Sequence, residues 1–412
     1  MKPRPDLVDD HSPQGLEVYQ LTEGPLATSH LYMEAQVFTP DGKRMVVHKA
    51  SMHHGFEREN PEHAYLLCDL ENGGELSPLT HEFRVTSASL SPDGEYCYYF
   101  HDETVLNGGR FALKRVRLDG TERETLMTLD GPLPGTSYRP SRLYSLSTVS
   151  SDGRRVALSA FLGDGERPNS PWGVLVFDLD ADEIRLVIEG PTFLNAHAQY
   201  CRSRDAEASH DIMVQENHGG EFDLEGAVTR LVSGKGADIH LIRDDGTNLR
   251  TFPWGRDGRE SCQGHQCWWG RSTAAITSTE VADTKACELV AGRPAPFSGH
   301  VGVHSPGGWR STLSREFPQK PRFWHFQTDA EGQRLVTDYS LDGTRYDLYL
   351  ARFGDTEDDP LQDWRYLLDT RTARTSRSTH PHPFFSPDGN KVFFNSDESG
   401  VLHAYMAVNL DG

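Results

Sequence analysis

The chain has 412 residues, with 61 Asp and Glu against 41 Lys and Arg, for a formal net charge of −20. That balance excludes nucleic acid and anionic membrane surfaces as partners, and it requires a locally basic pocket for any acidic ligand. The sequence has no apolar run long enough to cross a bilayer.

The N-terminal stretch Met1–Asp6 is polar and lacks the hydrophobic segment of a secretory signal, so a cytoplasmic location is expected. Six cysteines (68, 97, 201, 262, 267 and 287) are scattered without the spacing of a disulfide scaffold. Cys262 and Cys267, the one close pair, form no Cys-x-x-Cys zinc knuckle.

In chain order, one unit keeps returning. A Ser/Thr-Pro-Asp-Gly turn followed by a β-rich run occurs at Thr39-Pro40-Asp41-Gly42 and at Ser91-Pro92-Asp93-Gly94. It recurs at Ser151-Asp152-Gly153, in degenerate form near Ser203-Arg204-Asp205 and Trp269-Gly270, loosely at Thr328 to Gly332, and again at Ser386-Pro387-Asp388-Gly389. Between these turns lie alternating runs such as Tyr65 to Leu70, Leu113 to Leu118, Val174 to Leu179, Ile239 to Arg243 and Leu348 to Arg352. Period-2 patterns bounded by Asp-Gly turns predict strands, and two hairpins per repeat make a four-stranded blade.

The expected fold is therefore all-β, a seven-bladed β-propeller with four-stranded blades. Residues 1–412 form a single domain, with 1–15 as a flexible N-terminal extension. The run Leu16 to Thr22 supplies the strand missing after Tyr405 to Gly412. The two termini then share one blade and close the ring without exposed edges.

Near the C-terminus stands His380-Pro381-His382-Pro383. Proline disfavours helix, and in an extended chain two residues one apart face the same way. Repeats bring equivalent positions together at a propeller axis. His325 precedes its turn by the same few residues as His380 and His382, and His265 does so one repeat earlier. Three imidazoles (His325, His380, His382) suit a divalent transition metal that steadies a substrate carboxylate, with His265 as the general base. His197 and His30 occupy comparable pre-turn positions and join the expected cluster as substrate-binding residues.

The chain resembles the oligogalacturonate lyases, seven-bladed propellers that cleave short uronides by β-elimination. The matching segments are Gln20-Leu21-Thr22, Ser29-His30-Leu31-Tyr32, Glu260-Ser261-Cys262-Gln263-Gly264-His265 with Trp268, His325-Phe326, and Thr379-His380-Pro381-His382-Pro383. The resemblance implies Mn²⁺ on His325, His380 and His382, and His265 as the Brønsted base.

Two positions depart from the family pattern. Arg377 stands where the family has a Gln ligand, which leaves the fourth position to solvent or to Gln327. Asp238 stands where the family has a catalytic Arg, and Arg377 is the candidate to replace that charge. His218 matches a family His-Gly segment loosely. Arg139 and Arg142 are candidates for uronate carboxylates, and Trp268-Trp269 for stacking on sugar rings, with packing between blades as their more usual role.

A metal-dependent lyase acting on a small anionic oligosaccharide is the expectation. A non-catalytic propeller binding a glycan or a protein is the alternative. A peptidase-type reading is disfavoured because no Gly-x-Ser-x-Gly elbow occurs. The oligomeric state is left open.

Overall fold

The computed structural model describes residues 1–50, 57–231, 236–252, 260–281, 289–290, 293–294, 300–303, 310–312, 323–340, 345–354, 361–373 and 379–411. Among these, regular structure is β-strand apart from short 3₁₀ turns, as the alternating patterns predict.

The recurring turn explains its own sequence. Its glycines adopt positive φ (66° at Gly42, 72° at Gly94, 76° at Gly153, 70° at Gly389). Each donates its amide to the carbonyl three residues back, as Gly42 does to Thr39 at 2.8 Å and Gly94 to Ser91 at 2.9 Å. The Asp carboxylate accepts the amide two residues on: Lys43 on Asp41 at 3.1 Å, Glu95 on Asp93 at 2.9 Å. The leading hydroxyl accepts the amide that opens the next strand, Arg44 on Thr39 at 3.2 Å and Tyr96 on Ser91 at 3.0 Å. Hydroxyl, carboxylate and glycine each have one geometric task in a tight hairpin.

Successive turns also touch. A β-carbon on Gly94 would lie 2.5 Å from Pro40 Cδ, and one on Gly153 3.3 Å from Pro92 Cδ. One on Gly42 would lie 3.3 Å from Pro387 Cδ, so the last turn packs on the first.

Three meanders form separate four-stranded antiparallel sheets: Val85–Leu90 to Glu124–Asp130, Arg142–Val149 to Glu183–Gly190, and Phe323–Thr328 to Leu361–Asp369. The remaining strands form larger sheets of nine and eight strands and two small ribbons. Neighbouring sheets pack through aromatic and aliphatic side chains. Phe100 of one meets Phe177 of the next edge-on, with centroids 5.0 Å apart.

The termini meet as expected. Glu17–Gln20 pairs antiparallel with His403–Val408, Glu17 opposite Val408 and Gln20 opposite Tyr405. Residues 1–15 are not a loose extension. Lys2–Pro3 adds a strand against Tyr19 and Gln20, and Leu7 is buried with Leu16 and Val18. Arg4 ion-pairs with Asp6 at 2.8 Å and with Glu398.

Four strands share an irregularity. The register slips between Thr86 and Ser89, Leu143 and Ser147, Cys262 and Gln266, and Phe323 and Phe326. A bulge re-aims the side chains at one end of each strand.

Candidate metal centre

His325 lies inside the bulge of Phe323–Thr328. Phe323 pairs with Tyr339 and Phe326 with Thr337, so two residues face the single Asp338. Asp338 fills the broken ladder. Its Oδ1 accepts the His325 amide at 2.8 Å, and its Oδ2 lies 2.8 Å from His325 Nδ1. That contact keeps the proton on Nδ1 and makes Nε2 the ligating atom, the orientation a metal-bound imidazole needs. Burial pushes the Asp338 carboxyl up to about 6, against the pull of the His325 amide.

His380 and His382 arrive by a different route from the one expected. Residues 379–383 carry no strand, and only Phe384–Phe385 is extended in a sheet. His382 takes a left-handed conformation with φ 47°, so the two rings do not meet by strand alternation. The loop is held by its backbone: Pro381 O accepts the Asn395 amide at 2.8 Å and faces His30 Nε2 at 3.2 Å. The outcome is nonetheless a convergence. Ring centroids lie 5.1 Å (His325–His380), 4.2 Å (His325–His382) and 5.6 Å (His380–His382) apart. One nitrogen from each of the three falls within 4.8 Å of the others. Three imidazoles, one locked by a carboxylate, fit a divalent transition cation by donor type.

His265 adjoins this group, its ring centroid 4.6 Å from that of His325. It follows Gly264, whose φ of +83° marks the bulge in Glu260–Trp268. Two tyrosines complete the walls. Tyr32 packs on His382 at 4.7 Å and on His197 at 5.3 Å, and Tyr346 packs on His380 at 5.5 Å.

The other expected residues separate. His30 is 2 % exposed, with both ring nitrogens against backbone carbonyls (Leu31 at 2.6 Å, Pro381 at 3.2 Å), and burial pushes its pKa down to about 4. Its position is that of a clamp on the His-Pro-His loop. His197 is buried with its Nδ1 2.8 Å from Glu34 Oε2. Gln327 donates its amide to Met33 O at 2.6 Å and lines a separate cavity of about 320 Å³ among the turns, so it does not join the three histidines. His218 lies 2.8 Å from Asp238. Arg139 is exposed and Arg142 half-buried. Arg377 lies outside the described residues. Trp268 and Trp269 donate to Gln199 O and Gly332 O and serve packing between strands rather than an open platform.

Sequence reading missed Asp338, Tyr346 and the packing of Tyr32, and it did not join Glu216 and His240 to Asp238. For Asp338 a signal existed: a carboxylate inside the apolar run Leu335-Val336-Thr337-Asp338-Tyr339, where a buried charge needs a partner.

No family model matches the chain. It is 22% identical to an oligogalacturonide lyase of Pectobacterium atrosepticum, across 95% of this chain and 93% of that protein. Among solved structures, an oligogalacturonate lyase in complex with manganese superposes with a TM-score of 0.69 at 20% identity, covering 99% of this chain and 96% of the other. The oligogalacturonate lyase of Vibrio parahaemolyticus gives 0.66 at 19% identity, covering 97% and 95%.

Proposed function

We infer, from a chain that is a divergent relative of the oligogalacturonate lyases, that this protein is a metal-dependent lyase of short uronic-acid oligosaccharides. The observation that carries the reading is the convergence of His325, His380 and His382 with His265 against their edge.

The architecture we propose is a seven-bladed propeller in one domain. The nine-stranded and eight-stranded sheets each divide into two blades, one blade of the former combining Glu17–Gln20 with the C-terminal strands. A single cavity lined by residues of all seven turn regions, from Pro40 and Pro92 through Ser151, Arg204, Arg271 and Ala330 to Pro387, supports that count.

His325, His380 and His382 would hold Mn²⁺ or another divalent transition metal. Such a cation supplies positive charge beside a substrate carboxylate while the adjacent C–H bond ionises. His265, as a neutral imidazole, takes the C5 proton. The C4–O bond then breaks, and the 4-O-linked sugar leaves with a solvent proton, giving a 4,5-unsaturated end. Asp338 fixes the His325 tautomer throughout.

Arg142 lies near Arg58 and is desolvated, both of which lower its hold on its proton. Asp102, Asp223 and Glu225 act on it in the opposite sense, and Arg142 is assigned to a uronate carboxylate, with Arg139 at the exposed rim. Arg377 is assigned the charge that Asp238 does not supply. His30 and His197 act by packing, and His218 through its contact with Asp238. A cytoplasmic setting fits the five described cysteines, all buried thiols. No helix among the described residues is long and apolar enough to cross a membrane.

The test is incubation with short galacturonides and Mn²⁺ while following the ultraviolet absorbance of the conjugated product. Rising absorbance supports the lyase. No rise with any uronide, together with no bound metal, favours the binding module.

A further inference from the structure

A second ligand-type cluster is built on strands that carry none of the three histidines. Strands Asp211–Asn217 and Ala237–Arg243 are antiparallel, with Glu216 directly opposite Asp238 and Val214 opposite His240. Strand alternation puts Asp238 and His240 on one face, and the cross-strand pairing brings Glu216 onto the same face. One donor atom each from Glu216, Asp238 and His240 lies within 4.8 Å of the others. His218 Nε2 lies 2.8 Å from Asp238 Oδ2 and 3.7 Å from Glu216 Oε2.

Two carboxylates directly opposite each other on one sheet face repel, and a divalent cation held between them relieves that repulsion. The ring of His240 is already oriented, with Nδ1 2.9 Å from Thr251 Oγ1 and Nε2 3.0 Å from Glu216 Oε2. Thr192 Oγ1 donates to Glu216 Oε1 at 2.7 Å and fixes that carboxylate. Thus ligand-type atoms already have supporting partners, as metal ligands require. The side chains retain 9 to 23 % exposure, so an ion can reach them.

We propose that Glu216, Asp238 and His240 form a second divalent-cation site of mixed carboxylate and imidazole donors, with His218 as its fourth ligand. Zinc is the cation this donor set and number suit, at about 2.0 to 2.2 Å per bond.

The experiment loads the intact chain with Zn²⁺, desalts it and counts ions per chain. The wild type holds two ions, Asp238→Asn/His240→Gln loses one, and His380→Ala/His382→Ala keeps one. A folded Asp238→Asn/His240→Gln chain that holds as much zinc as the wild type overturns the proposal. If that variant does not fold, zinc-edge anomalous diffraction from wild-type crystals decides: a peak between Glu216 and His240 supports the site, and its absence overturns it. A single ion lost with Asp238 and His240 but kept without His380 and His382 sustains this inference and removes the three-histidine centre instead.

Discussion

Asp338 grips His325 twice, through the amide on Oδ1 and the ring Nδ1 on Oδ2, each at 2.8 Å. One carboxylate therefore repairs the bulged ladder and sets the tautomer of the histidine at the centre. Asp338→Asn keeps an acceptor for the amide but offers the ring an N–H, which favours the tautomer with its proton on Nε2. We expect metal affinity to fall by about 10- to 100-fold, measured by calorimetric titration with Mn²⁺, without a matching loss of fold.

His265 touches the histidine group without belonging to the three that converge on one point. His265→Gln should lower kcat by about 10² to 10⁴ while metal content stays at the wild-type level. Equal losses of metal and of turnover would move His265 from base to ligand.

Arg377 should behave in the opposite sense to a ligand. Arg377→Ala is expected to reduce turnover on uronides far more than it reduces bound metal, because a guanidinium cannot ligate a cation. Turnover and metal analysis on the same preparation check this, and metal loss with turnover retained refutes it.

Gly94 tests the turn-on-turn contact. An alanine there must adopt φ +72° and place its β-carbon 2.5 Å from Pro40. The left-handed backbone and the overpacking together should cost about 2 to 4 kcal/mol, read as a lower midpoint in chemical denaturation.

His63 gives a pH signature of its own. Burial pushes its pKa down to about 4, against the Lys49 carbonyl 2.9 Å from Nδ1, while the unfolded chain titrates near 6.5. Between those values the unfolded state binds more protons, so stability rises with pH through this window and is lost as pH falls from about 6.5 to 4. The loss attributable to this residue is on the order of 3 kcal/mol, and His63→Gln should flatten the slope of unfolding free energy against pH.

Much of this was legible in the sequence because it is local. Ser/Thr-Pro-Asp-Gly is a turn that makes its own hydrogen bonds, so it announces itself wherever it stands, and its repetition announces successive antiparallel strands. His325, His380 and His382 share a pre-turn register, so the expectation that they meet came from the repeat, although the last two arrive by a loop rather than by strand alternation. What stayed hidden depends on pairing across strands. Asp338 matters only because a slipped register leaves the His325 amide without a ladder partner. His382 reaches the centre by a left-handed residue, which no alternation rule anticipates. Gln327 shares the strand of His325, yet its amide is taken by Met33, more than 290 positions away in sequence. Glu216 and Asp238 are neighbours through strand register, and nothing in their spacing of 22 positions reveals it.

The most direct measurement is anomalous diffraction at the manganese edge from crystals grown with Mn²⁺. The account predicts a peak about 2.2 Å from His325 Nε2 and from one ring nitrogen each of His380 and His382. A map with no peak among those three rings, in crystals diffracting well enough to show them, contradicts it.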